Sequence, residues 1–130
     1  MSALQKAEEG AKKAAEEAKE ATIQAGGYLL VVEGSISPAD SGVYCCIGGK
    51  SSVALVEEAA ANAVAVVAVG NCATFGGLPK ASPNPTGAIG VMDLVKDKPV
   101  LNIPGCPMNP VNLTATVVHF LTFGALPEMD

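Results

Sequence analysis

The chain has 130 residues with a formal net charge of −5, 49% hydrophobic and 16% charged residues. That length suits one domain with a single core, and the apolar content argues against a disordered chain. The acidic balance, with no basic run, excludes the phosphate contacts on which nucleic-acid binding depends. Nothing reaches the roughly 20 apolar residues of a membrane span, because "ANAVAVVAVGNCA" is broken by Asn62, Gly70 and Asn71.

Residues 1–25, "MSALQKAEEGAKKAAEEAKEATIQA", are strong helix formers. Leu4, Ala7, Ala11, Ala14, Ala18, Ala21 and Ala25 recur at three- and four-residue spacing and share one face. The small side chains predict close packing of that face on a sheet. Glu8/Lys12 and Glu9/Lys13 are i,i+4 pairs for the outer face. A natural amphipathic helix and an idealised, engineered one both take this form. Gly26-Gly27 ends the helix, which divides the chain into a helix over 1–26 and a core over 27–130.

"YLLVV", 28–32, reads as a buried strand between Gly27 and Gly34. Residues 33–50, "EGSISPADSGVYCCIGGK", read as a loop. Ser51 or Ser52 caps a helix to about residue 61. "VAVVAV", 64–69, is a second strand, and "GNCATFGGLPKASPNPTG" is a loop. A helix follows over about 86–95, then the strand "VLNI", 100–103, the loop "PGCPMNP" and a final helix over about 110–123. Strands alternating with helices predict an α/β fold: a small parallel sheet of about three strands with helices on both faces.

A parallel sheet sends every strand-to-helix loop to one edge, where open α/β sheets bind ligands. Cys45 and Cys46, Cys72, and Cys106 follow the first, second and third strands. The topology therefore predicts that all four thiols meet. Without an apolar leader segment the expected setting is cytoplasmic, where thiols stay reduced and serve as ligands more readily than as disulfides. Adjacent cysteines are in any case poor partners for a disulfide with each other. Four thiolates fit an iron–sulfur cluster or zinc. The absence of paired C-x₂₋₄-C knuckles favours the cluster. A third reading is a fold kept as a cofactor-free scaffold or interaction fragment. Pro107 is expected to help start the last helix. His119, alone in its helix, reads as structural, and Glu33 as a loop residue at the ligand edge. No catalytic triad, phosphate loop or carboxylate pair is present, so a redox carrier is expected rather than an enzyme on its own.

"GNCATFGG…PNPTGAIGV…NIPGCPMNPVNLTATVVHFLTFGALPEMD", preceded by "VVEGSISPADSGVYC", resembles the small subunit of [NiFe] hydrogenases over about residues 27–130. The resemblance implies a flavodoxin-like domain holding a proximal [4Fe–4S] cluster that passes electrons to and from a large subunit. It implies Cys72 and Cys106 as two ligands. The family's other two come from a Cys-x-x-Cys after an earlier strand, which this sequence does not contain. The chain thus reads as a minimised fragment, truncated at both ends, with Cys45 and Cys46 restoring the ligand count. Tandem cysteines on one cluster also occur in the related subunit of respiratory complex I. The expected partners are a hydrogenase large subunit or another redox protein, with a homodimer as an alternative, and neither nucleic acid nor membrane.

Overall fold

The structure is a computed structural model and describes residues 1–128; the last two residues of the 27–130 core lie outside the described residues. In chain order its elements are α1 (Ala3–Ala25), β1 (Tyr28–Glu33), a 3₁₀ turn (Ala39–Gly42), β2 (Cys46–Ile47), β3 (Lys50–Ser51) and α2 (Ser52–Ala61). Then come β4 (Ala63–Val69), α3 (Gly70–Phe75), α4 (Gly77–Lys80), α5 (Val91–Leu94), β5 (Val100–Ile103) and α6 (Pro110–Phe123).

Three strands form a parallel sheet in the order β1-β4-β5. The central strand has Val66, Val67 and Ala68 fully buried, as its unbroken apolar run requires when both faces are covered. Register aligns Leu30, Val66 and Val100, and one step on Val31, Val67 and Leu101. Alternate residues point to opposite faces, so the core has two halves. On one side Val32, Val66 and Ala68 pack with Val53 and Val56 of α2, Ala73 of α3 and Val91 and Leu94 of α5. On the other, Val67, Val69, Leu101 and Ile103 pack with Met108, Leu113 of α6 and Leu126. The expected parallel α/β arrangement with helices on both faces is therefore present. Each fully buried valine contributes about 1.5–3 kcal/mol over an exposed one.

Three expectations are corrected. The alanine face of α1 is not buried against the sheet: its stripe residues are exposed and no residue of the helix is buried. Periodicity defines a face, and alanine offers too little apolar surface to hold it against a sheet. The helix is held at its ends, by a capping box between Ser2 and Gln5 and by Asn62, whose Nδ2 donates to the Ile23 carbonyl at 2.8 Å. Its ion pairs are Lys13–Glu17 and Lys19–Glu16, not the two expected. Second, the stretch 70–87 holds two short helices, α3 and α4, separated by Gly76 in a left-handed conformation. Third, the helix expected over 86–95 is only the single turn Val91–Leu94. Ile89 is spent on an antiparallel bridge to Ile36, with N–H···O distances of 3.0 and 2.8 Å. Among the described residues no helix is long and apolar enough to cross a membrane.

Candidate functional site

The three parallel strands end at one edge, and the segments leaving them enclose a pocket of about 600 Å³. Glu33 and Gly34 come from the end of β1, Val69, Gly70, Asn71 and Cys72 from β4 into α3, and Gly105 to Met108 with Pro110 from the turn after β5. The volume lies within the usual range of small-ligand sites. Cys72 and Cys106 thus share one cavity, as their positions after consecutive sheet neighbours predict.

Local backbone explains how each thiol is held. Gly70 turns the chain out of β4 with φ at 82°, and α3 carries Cys72 on its first turn. Gly76 closes that helix, its N–H bonding the Cys72 carbonyl at 2.9 Å. Gly77 lies so close that an added Cβ would sit 2.5 Å from Cys72 Sγ. After β5, Gly105 and Met108 form a bridge, with Cys106 and Pro107 at the tip. Gly105 has φ at 135°, and a Cβ there would meet the Pro107 carbonyl oxygen at 2.7 Å. Helix α6 starts at Pro110, capped by Asn109, whose Oδ1 accepts from the Val111 N–H at 3.0 Å. Pro110 rather than Pro107 therefore opens the helix, and Cys106 lies outside it.

Two hydrogen bonds join the thiol-bearing turns. Asn71 N donates to the Gly105 carbonyl at 2.8 Å, and Gly105 N donates to Asn71 Oδ1 at 2.7 Å. From sequence Asn71 marks only a break in an apolar run, a polar residue between Gly70 and Cys72 with no site role read from it.

Cys45 and Cys46 stand elsewhere. They sit at the start of a small hairpin in which β2 and β3 pair antiparallel around Gly48-Gly49. Neither lines the pocket. Cys46 is exposed, and its thiol donates weakly to the carbonyls of Gly42 and Val43 at 3.7 and 3.6 Å. Cys45 is half-buried, and its carbonyl accepts from Ser52 N at 2.8 Å. Beside them the Tyr44 hydroxyl donates to Asp40, which pushes the phenol above its ordinary range. Among the described residues no three His, Cys, Asp or Glu side chains gather closely enough to hold one metal ion. His119 is accounted for by its Nδ1 contact with the Ala125 carbonyl at 3.0 Å and a tilted stack on Phe123.

Chemically, the pocket offers two thiols, one carboxylate at Glu33, the amide of Asn71 and an otherwise apolar or glycine wall. Thiolates are soft donors suited to iron–sulfur clusters, zinc and copper(I). Gly77 removes a Cβ that would otherwise fill the space beside the Cys72 sulfur, and Gly105 one that would strike the backbone of the turn carrying Cys106. Donor type and cradle both fit an iron–sulfur group.

Fold and pocket together define an α/β domain with a pocket at the carboxyl ends of its parallel strands, where open α/β sheets bind ligands. Residues 2–120 match the family described as NADH ubiquinone oxidoreductase, 20 Kd subunit. The chain is 46% identical over 105 residues to the hydrogenase-2 small chain of Escherichia coli K12, covering 81% of this chain and 28% of that protein. It is 44% identical over 106 residues to periplasmic [NiFe] hydrogenase small subunit 1 of Nitratidesulfovibrio vulgaris, covering 80% of this chain and 33% of that protein. Among solved structures, the reduced, active Ni-Fe-Se hydrogenase of Desulfomicrobium baculatum superimposes with a TM-score of 0.73 at 35% identity, over 78% of this chain and 43% of that one. The chain belongs to the NADH ubiquinone oxidoreductase 20 Kd subunit family, and its resemblance to hydrogenase small subunits, read from its motifs, is borne out. It spans 28% and 33% of the length of the two curated relatives named.

Proposed function

We propose that the chain is an electron-transfer module that binds one [4Fe–4S] cluster in the pocket between β4 and β5, with Cys72 and Cys106 as two of its ligands. The observation that carries this reading is the convergence of these two thiols, from separate strands, on one glycine-walled cavity. When bound, such a cluster supplies one-electron oxidation and reduction without substrate turnover. The two thiolates would anchor it, Gly77 leaves room beside the Cys72 sulfur, and Val69, Met108 and the prolines keep water from part of the wall.

The remaining ligands are assigned to Cys45 and Cys46. This requires residues 43–49 to swing toward the pocket, and Gly42, Gly48 and Gly49 flank that segment as the positions able to absorb the backbone change. The partner class that suits the module is a hydrogenase large subunit or another redox protein. Phe75, on the helix that carries Cys72, and Leu78, on the next, are 60% and 87% exposed and would be covered by it.

The test is anaerobic reconstitution with iron and sulfide, followed by metal and sulfide analysis. Near four irons per chain, with broad absorption near ~400 nm, is expected of a [4Fe–4S] protein. The Cys72→Ser and Cys106→Ser variants should each lose it. Full occupancy in both would overturn the assignment.

A further inference from the structure

We propose that Asn71 is a positioning residue that sets the separation of the Cys72 and Cys106 thiols. The proposal rests on the iron–sulfur reading of the pocket and deepens it. Asn71 immediately precedes one thiol residue and Gly105 immediately precedes the other. Between them run two hydrogen bonds in opposite directions, Asn71 N–H to the Gly105 carbonyl at 2.8 Å and Gly105 N–H to Asn71 Oδ1 at 2.7 Å. Strands β4 and β5 pair only as far as Val69 and Ile103. Beyond that point the ladder has ended, and the clasp is what continues the connection between the two chains. One backbone donor and one side-chain acceptor do for the two turns what a further ladder rung would do for two strands.

The turns lie in contact. A Cβ on Gly70 would touch the Gly105 carbonyl oxygen at 3.4 Å, and one on Gly105 would strike Pro107 and Met108 backbone. The turn after β5 is therefore pinned from both sides: by its own fold-back onto Met108 and by the amide of Asn71. Cys106 itself is exposed and carried on the tip of that turn. Its place relative to Cys72 depends on the Gly105 anchor, because packing does not fix it. Partners that orient metal ligands without touching the metal commonly govern affinity by 10–100-fold.

The experiment uses the full chain carrying Cys45→Ser and Cys46→Ser, so that Cys72 and Cys106 are its only thiols. Cadmium ion is titrated in without oxygen, and thiolate-to-cadmium absorption is followed. Asn71→Ala is expected to weaken cadmium binding by about 10–100-fold. Asn71→Asp keeps an oxygen able to accept from Gly105 N–H, and is expected to restore affinity to within about threefold of the parent. Should Asn71→Ala fail to fold, Asn71→Gln carries the test: it keeps the amide and displaces it by one methylene, and a loss of about tenfold is expected. Parent-like cadmium affinity in Asn71→Ala, or in Asn71→Gln if that variant is the one used, overturns the proposal. An equal loss in Asn71→Ala and Asn71→Asp overturns it too. If the original chain takes up no iron–sulfur cluster yet cadmium affinity follows the pattern above, the clasp stands and the cluster reading falls. If the cluster binds and cadmium affinity ignores Asn71, the clasp falls alone.

Discussion

Replacing Gly105 with alanine tests the geometry of the site through stability. Gly105 has φ at 135°, where a side chain is strained, and its added Cβ would stand 2.7 Å from the Pro107 carbonyl oxygen and 2.8 Å from Met108 Cα. Both obstacles are backbone, so no side chain can swing aside. Holding a non-glycine residue in such a conformation costs about 1–3 kcal/mol, and forcing extra volume into a closed space about 1–3 kcal/mol more. The sum, about 2–6 kcal/mol, is a large share of the ~5–15 kcal/mol available to a domain of this kind. With a urea slope of about 2 kcal/mol per molar, the midpoint should fall by about 1–3 M, read by circular dichroism at equilibrium. Gly27→Ala is the control, since its φ of 73° carries strain but a Cβ there meets nothing within 4 Å; it should cost only about 1–3 kcal/mol. A Gly105→Ala midpoint equal to that of the unmodified chain would refute the close fold-back of the turn after β5.

Other outcomes follow from the same structure. Ile36→Ala removes a side chain that is 1% exposed and should destabilise by about 2–5 kcal/mol in urea unfolding. Ala14→Glu with Ala18→Glu in the exposed α1 should leave the unfolding free energy within about 0.5 kcal/mol; a larger loss would mean the helix packs on the core. Lys50 pairs with Glu58 at 3.0 Å. This hydrogen-bonded contact holds the Glu58 carboxyl below its ordinary range and the Lys50 ammonium above its own. The Glu58 contribution is therefore present above the usual carboxylate range and fades as pH falls through its lowered pKa. The Lys50 contribution is present below the usual lysine range and fades as pH rises through its raised pKa. Both titrations, followed by NMR, should move back toward ordinary values in high salt.

Legibility followed the physics of each segment. "VAVVAV" was readable as the central strand because only a strand covered on both faces tolerates so unbroken an apolar run. The final helix was readable in its span and at its end, where Gly124 takes the left-handed conformation; its start was credited to Pro107, whereas Asn109 caps it and Pro110 is its first residue. "GNCATFGGLPK" read as loop because of its three glycines, yet Gly76 ends one short helix and Gly77 begins the next. The α1 stripe showed a face without showing whether anything covers it. The hairpin carrying Cys46 had a signal, Gly48-Gly49 between Ile47 and Lys50, with both glycines at positive φ as a two-residue turn needs. Same-edge topology brought Cys72 and Cys106 to one pocket, where strand ends fix short turns. It could not place Cys45 and Cys46, which lie twelve and thirteen residues beyond Glu33 on a segment with its own hairpin.

The most direct test of the central claim is the position of iron in the reconstituted chain, located by anomalous scattering from crystals grown without oxygen. The account predicts one compact iron peak in the pocket, bonded to Cys72 Sγ and Cys106 Sγ with Glu33 and Asn71 at its wall. Iron bound at full occupancy elsewhere, or bonded to neither of these two sulfurs, would contradict it.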